Sequence, residues 1–125
     1  MEPDPYELGT VVYFDFGPPR QSRQDEGILK EKHYAVVLQT TVLSQNPVYP
    51  VLVVAGLTST APRNMNGWVQ IEPTKQNGLS HVSYLDARRL YTIRKAEVLE
   101  VMGKVEKAVL FQAKEWLKKL FEITV

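Results

Sequence analysis

Residues 48–57, VYPVLVVAGL, are apolar at nearly every position, and no other stretch limits the fold as tightly. A strand with one face in water alternates between polar and apolar residues. One without alternation belongs inside a sheet that is covered on both faces. The apolar run is far shorter than the ~20 residues a membrane-spanning helix needs, so a central strand is its natural reading.

The remaining pattern supplies neighbours for that strand. Residues 10–16, TVVYFDF, are β-branched and aromatic, and Gly17-Pro18-Pro19 cannot continue a paired strand. Residues 34–41 read as a second strand and 44–47, SQNP, as a turn. WVQIE at 68–72 and SHVSYLD at 80–86 alternate, and PTKQNG between them reads as a turn in which Asn77-Gly78 supplies the positive-φ positions. RRLYTI at 88–93 continues that strand or bends away from it, and 98–103 is one more short strand. Residues 1–8 form a loose or docking tail.

The C-terminal segment changes period. Val105, Val109, Ala113, Trp116, Leu117 and Leu120 recur at helical spacing, which predicts an amphipathic helix over about 105–122, four to five turns long. Its N-cap is weak, because no Ser, Thr, Asp or Asn immediately precedes it. Lys118 and Lys119 suit the negative end of the helix dipole. The expected architecture is mainly β with a C-terminal helix (α+β): a curled, mostly antiparallel sheet or small barrel with the helix over one face. With 125 residues and no shift in composition, a single domain over 1–125 is expected.

Composition removes several chemistries. The chain has no cysteine and only two histidines, His33 and His81, and shows no acidic cluster with ligand spacing. Neither a thiolate nor a multi-histidine metal site is available within one chain, so no metal or other cofactor is expected. A net charge of +1 neither announces nor forbids nucleic-acid binding, because a local basic patch can hide in the average. The polar start, MEPDPYELG, does not resemble a signal peptide, and a soluble, cytoplasmic protein is expected.

No P-loop, GxGxxG or GxSxG motif is present. Instead, chemistry-bearing residues are scattered at strand ends: His33; Thr58, Ser59 and Thr60; Tyr84 and Asp86; Arg88 and Arg89. The segment 17–33, GPPRQSRQDEGILKEKH, adds Arg20, Arg23, Lys30 and Lys32 in a connection far longer than the ~2–5 residues of an ordinary hairpin loop. Each has a plain reading: a strand-edge histidine, turn chemistry, a local salt bridge of small worth, a slack loop. Taken singly, these residues leave the choice open.

Taken in order, they resemble the MazF/PemK family of toxin endoribonucleases along nearly the whole chain. GTVVYFDF is similar to the family's opening Gly-Asp/Glu-Ile-Trp-x-Val-Asp-Phe strand, and the polar segment after it to the flexible loop over the family's active site. HYAVVLQ is similar to Arg-Pro-Ala/Val-Val-Val-Leu-Ser, VLVVAGLTST to the strand whose end carries a Thr, and NGLSHVSYLDARRLYTI to Gly-Leu-x-x-x-Ser-x-Val-x-x-Asp-Gln-Val/Pro-Arg-Thr-Ile. The resemblance implies an SH3-like barrel of the MazF/PemK/CcdB toxin type, a homodimer, and a cognate antitoxin protein. It also implies metal-independent cleavage of single-stranded RNA by attack of the 2′-hydroxyl, leaving a 2′,3′-cyclic phosphate and a 5′-OH.

Carried over residue by residue, the resemblance makes His33, Thr58 and Asp86 the catalytic candidates. Arg20, Arg23, Lys30, Lys32, Ser59, Tyr84 and Arg89 become substrate-binding candidates, with 17–32 as an active-site loop. Thr58, Asp86 and Arg89 match the family pattern. His33 stands where the family usually carries Arg, Tyr34 where Pro follows, and Tyr84 where some members have a further Arg. Histidine can exchange a proton near neutrality but is not a permanent bidentate phosphate clamp, a part the loop cations can take. The competing readings are a non-cleaving RNA- or protein-binding member of the fold and, last, a gyrase-poisoning toxin, for which the helix stripe looks too much like core.

Overall fold

The structure, a computed structural model, describes residues 2–15 and 32–124, the side chain of Lys32 excepted. The described strands are β1 (Thr10–Asp15), β2 (Lys32–Val37), β3 (Val51–Thr58), β4 (Trp68–Ile71), β5 (Ser83–Arg94) and β6 (Val98–Lys104). They form one antiparallel sheet in the order β4-β5-β3-β2-β1-β6. The doubly apolar run is β3, held between β5 and β2 as its pattern requires.

Each face of the sheet carries its own core. Val11, Val36, Ala55, Leu57, Val69, Ile71, Leu85 and Ala87 fill one face, and Val109 and Ala113 of the helix α2 (Lys107–Leu120) close it. Val12, Phe14, Ala35, Val37, Leu52, Val54 and Ile93 fill the other, joined by Tyr6 of the N-terminal segment. Register shifts in the β1–β6 and β3–β5 pairings bend the sheet, as bulges do. Residues 88–93 continue the strand before them: β5 runs unbroken from Ser83 to Arg94, and its shift against β3 falls at Asp86–Arg89, where pairing passes from Leu57↔Leu85 to Ala55↔Leu90.

Three local expectations are corrected. β2 stops at Val37, residues 38–40 are neither strand nor helix, and a short helix, α1 (Thr41–Gln45), takes the last residue of the expected strand and the first two of the expected 44–47 turn. The buried Gln39 side chain takes over the ladder there. Its amide donates to Val51 O (3.1 Å) and Ser44 Oγ (3.2 Å) and accepts from Val53 N (3.2 Å), so side chain stands in for backbone. β3 then begins at Val51 rather than 48, because Asn46 holds Val48 N and Tyr49 N in a turn. α2 begins at Lys107, later than expected, and no side chain caps it at Glu106.

The N-terminal residues dock. Asp4 N donates to Gln45 O (2.8 Å), its carboxylate pairs with Lys95 Nζ (2.8 Å), and Leu8 N donates to Thr41 Oγ1 (3.0 Å).

In the 73–79 turn only Gly78 has a positive φ, of 71°. Asn77 is instead fully buried. Its Oδ1 accepts from Thr74 N and Leu79 N (3.0 Å each), and its Nδ2 donates to Glu72 O (2.9 Å) and reaches Glu106 Oε1 (3.4 Å). Thr74 Oγ1 donates to the same carboxylate at 2.8 Å, tying the turn to the start of α2. Asn77→Ala would strand these buried groups, and a loss of about 2–3 kcal/mol is expected. Urea denaturation should show it as a lower midpoint at unchanged m; a parental midpoint would mean the turn holds without the side chain.

Candidate active site

The two cores fill the sheet, so open space is left at its ends. A cleft of about 240 Å³ lies where β2 begins, β3 ends and β5 begins. Its walls are His33 and Tyr34, then Leu57, Thr58 and Ser59, then Leu79, Ser80, His81 and Ser83. The Asn77-centred turn delivers the last of these walls.

His33 and Thr58 come together through strand register. β2 pairs with β3 as Ala35↔Gly56, and carrying that register on sets His33 against Thr58. The His33 ring sits edge-on to the buried Phe14, with centroids 6.5 Å apart, and hydrogen-bonds the Leu57 backbone. Burial pushes its pKa below the ordinary histidine value, and the Leu57 bond, which favours the protonated ring, partly opposes that shift. Thr58 Oγ1 accepts from Thr60 N at 3.2 Å, so its own proton is available to an acceptor such as a phosphate oxygen. Ser59 is exposed beside it.

The remaining walls were not singled out from sequence. Tyr34 is 39% exposed and packs on Tyr13 with ring centroids 4.7 Å apart. Ser80 Oγ lies 2.8 Å from His81 Nδ1, and Ser83 Oγ donates to His81 O at 3.1 Å. The signal for His81 was its rarity: the chain's only two imidazoles line one cleft.

Asp86 is not among the cleft residues. It is buried, and its Oδ1 accepts from Arg88 N (3.0 Å) and Arg88 Nε (3.1 Å), while Arg89 Nε lies 3.9 Å from Oδ2. Tyr84 pairs with Thr58 across β3 and β5 but stands outside the cleft walls. Arg89 is exposed. Arg20, Arg23, Lys30 and the expected active-site loop lie outside the described residues, as does the Lys32 side chain. Among the described residues lining the cleft, none is Asp, Glu, Lys or Arg. Among the described residues no three His, Cys, Asp or Glu side chains are grouped to hold a metal ion, and no helix is long and apolar enough to cross a membrane.

The profile of the PemK-like, MazF-like toxins of type II toxin–antitoxin systems matches residues 7–121. The chain belongs to this family. No curated protein sequence matches it. Among solved structures it is similar to a mycobacterial endoribonuclease in complex with its cognate antitoxin, with a TM-score of 0.71 and 18% identity over 96% of this chain and 98% of that one. A MazE–MazF structure from Deinococcus radiodurans gives a TM-score of 0.71 and 19% identity over 95% and 97%. The Mycobacterium tuberculosis toxin MazF-mt6 gives 0.69 and 16% over 93% and 99%. At these identities the likeness is one of fold, and the side chains at the cleft are this family member's own.

The lowered His33 pKa makes a signed prediction. As the pH falls below about 6.5, the unfolded chain takes up a proton at His33 before the folded chain does. Stability from the neutral ring is complete above about pH 6.5 and is lost as the pH falls through the lower folded value. The melting temperature should therefore drop more steeply from about pH 7 to about pH 5 in the parent than in His33→Gln. The His33 ring should titrate by NMR with a midpoint below about 6.5. A midpoint above that value would contradict the burial argument.

Proposed function

We propose that this toxin is a metal-independent endoribonuclease that cuts single-stranded RNA through attack of the ribose 2′-hydroxyl on its own phosphate. The observation that carries the reading is the meeting of His33 and Thr58, from different strands, in one cleft. The step needs a base for the 2′-OH and hydrogen-bond donors for the phosphate oxygens. His33 is the base, and the Thr58 hydroxyl, joined by Ser59, donates to a non-bridging oxygen. The products are a 2′,3′-cyclic phosphate and a 5′-OH, and no cofactor takes part.

The other residues hold rather than react. Asp86, bound to Arg88, is a positioning group that fixes the bend of β5. Tyr84 and Arg89 contact RNA flanking the cleft. Among the described residues the walls carry no fixed cation, and Arg20, Arg23, Lys30 and Lys32 supply the charge that balances the phosphate, with 17–32 as the active-site loop.

The toxin works in the cytoplasm as a homodimer that a cognate antitoxin silences. Support for such contacts comes from exposed apolar side chains: Leu99 and Val101 on the edge strand β6, and Phe111, Leu120 and Phe121 on and after α2. The run VLVVAGL offers no such surplus, since Leu52, Val54, Ala55 and Leu57 are buried in the chain's own cores.

Purified protein incubated with mixed single-stranded RNA in EDTA should produce cyclic-phosphate ends. His33→Ala and Thr58→Ala should each cut about 100-fold more slowly or worse. Binding of RNA without cleavage by the parent would favour the non-cleaving reading, and parental rates in both variants would remove this assignment of the site.

A further inference from the structure

The cleft that holds His33 also holds His81, and the two rings are held in complementary ways. His33 hydrogen-bonds the Leu57 backbone. A backbone carbonyl only accepts, so the ring nitrogen facing it keeps its proton and the other nitrogen of the neutral ring can act as a base. His81 has Nδ1 2.8 Å from Ser80 Oγ. A hydroxyl can donate or accept, so Ser80 supports either tautomer and leaves Nε2 to carry a proton and release it. His81 is exposed, whereas His33 is partly buried, and both line the one cleft.

We propose that His81 is a second catalytic residue, the general acid that protonates the departing 5′-oxygen, with Ser80 orienting its ring. This rests on the endoribonuclease reading above and adds the partner which that reading leaves unassigned. The step balances. His33 takes the proton from the 2′-OH, the 2′-oxygen bonds to phosphorus, the bond from phosphorus to the 5′-oxygen breaks, and His81 gives that oxygen its proton. The enzyme is left with His33 protonated and His81 neutral, and exchange with water resets both.

The arrangement also accounts for a cleft wall without Asp, Glu, Lys or Arg among its described residues. A fixed carboxylate would repel the phosphate. A protonated His81 offers it both a positive charge and a transferable proton.

The test uses an oligoribonucleotide that the parent cuts at one mapped site, and the same oligonucleotide with sulfur replacing the bridging 5′-oxygen at that site. A thiolate leaves without a proton, so loss of the acid should matter only for oxygen. His81→Ala and His81→Gln should cut the ordinary RNA about 10²–10⁴-fold more slowly than the parent. Both should cut the sulfur substrate within a few-fold of the parent, while His33→Ala stays slow on both. The ring is exposed, so both His81 variants should keep the parental melting temperature. His81 variants that cut ordinary RNA at the parental rate, or are equally slow on both substrates, overturn the assignment and leave the endoribonuclease reading standing. A folded parent that binds RNA but cuts neither substrate overturns both.

Discussion

The burial of β3 on both faces is the condition from which the rest of the structure follows. A strand with no polar side must have a core above and below it, and here the helix closes one face while the second core occupies the other. Side chains with chemistry have no room along such a strand. They collect where the apolar pattern stops, at Leu57, Thr58 and Ser59, and the start of β2 and the approach to β5 meet them there.

Elements with a clear period were legible in the sequence. β3 announced its central place, and the α2 stripe identified Val109 and Ala113 as core. What was not legible were places where one side chain replaces a regular backbone partner. Gln39 occupies ladder positions with its amide, and Asn77, which reads as an ordinary turn residue, is the buried hub of its turn. Neither role leaves a periodic trace. The β3–β5 register shift was equally hidden, because alternation alone does not encode how Leu85 and Leu90 both reach β3.

The candidate site divides the same way. His33, Thr58 and Ser59 follow from strand ends and were found by sequence. His81 was passed over because SHVSYLD reads as one alternating strand, whereas β5 begins only at Ser83 and His81 belongs to the approach. Asp86, a candidate by its place in the family pattern, is bonded to the arginines that follow it and is not among the described residues lining the cleft. At position 33 an arginine would be a permanent charge, whereas the partly buried imidazole favours its neutral form.

The hydrogen bonds that join the 73–79 turn to Glu106 also bear on how such a protein is made. His33 and Thr58 leave the ribosome early, but the wall that bears Ser80 and His81 hangs from a turn whose anchor lies at the start of α2. Contacts between distant parts of a chain form late. A nascent chain ending before residue 106 thus lacks the carboxylate that anchors the turn carrying the third side of the cleft.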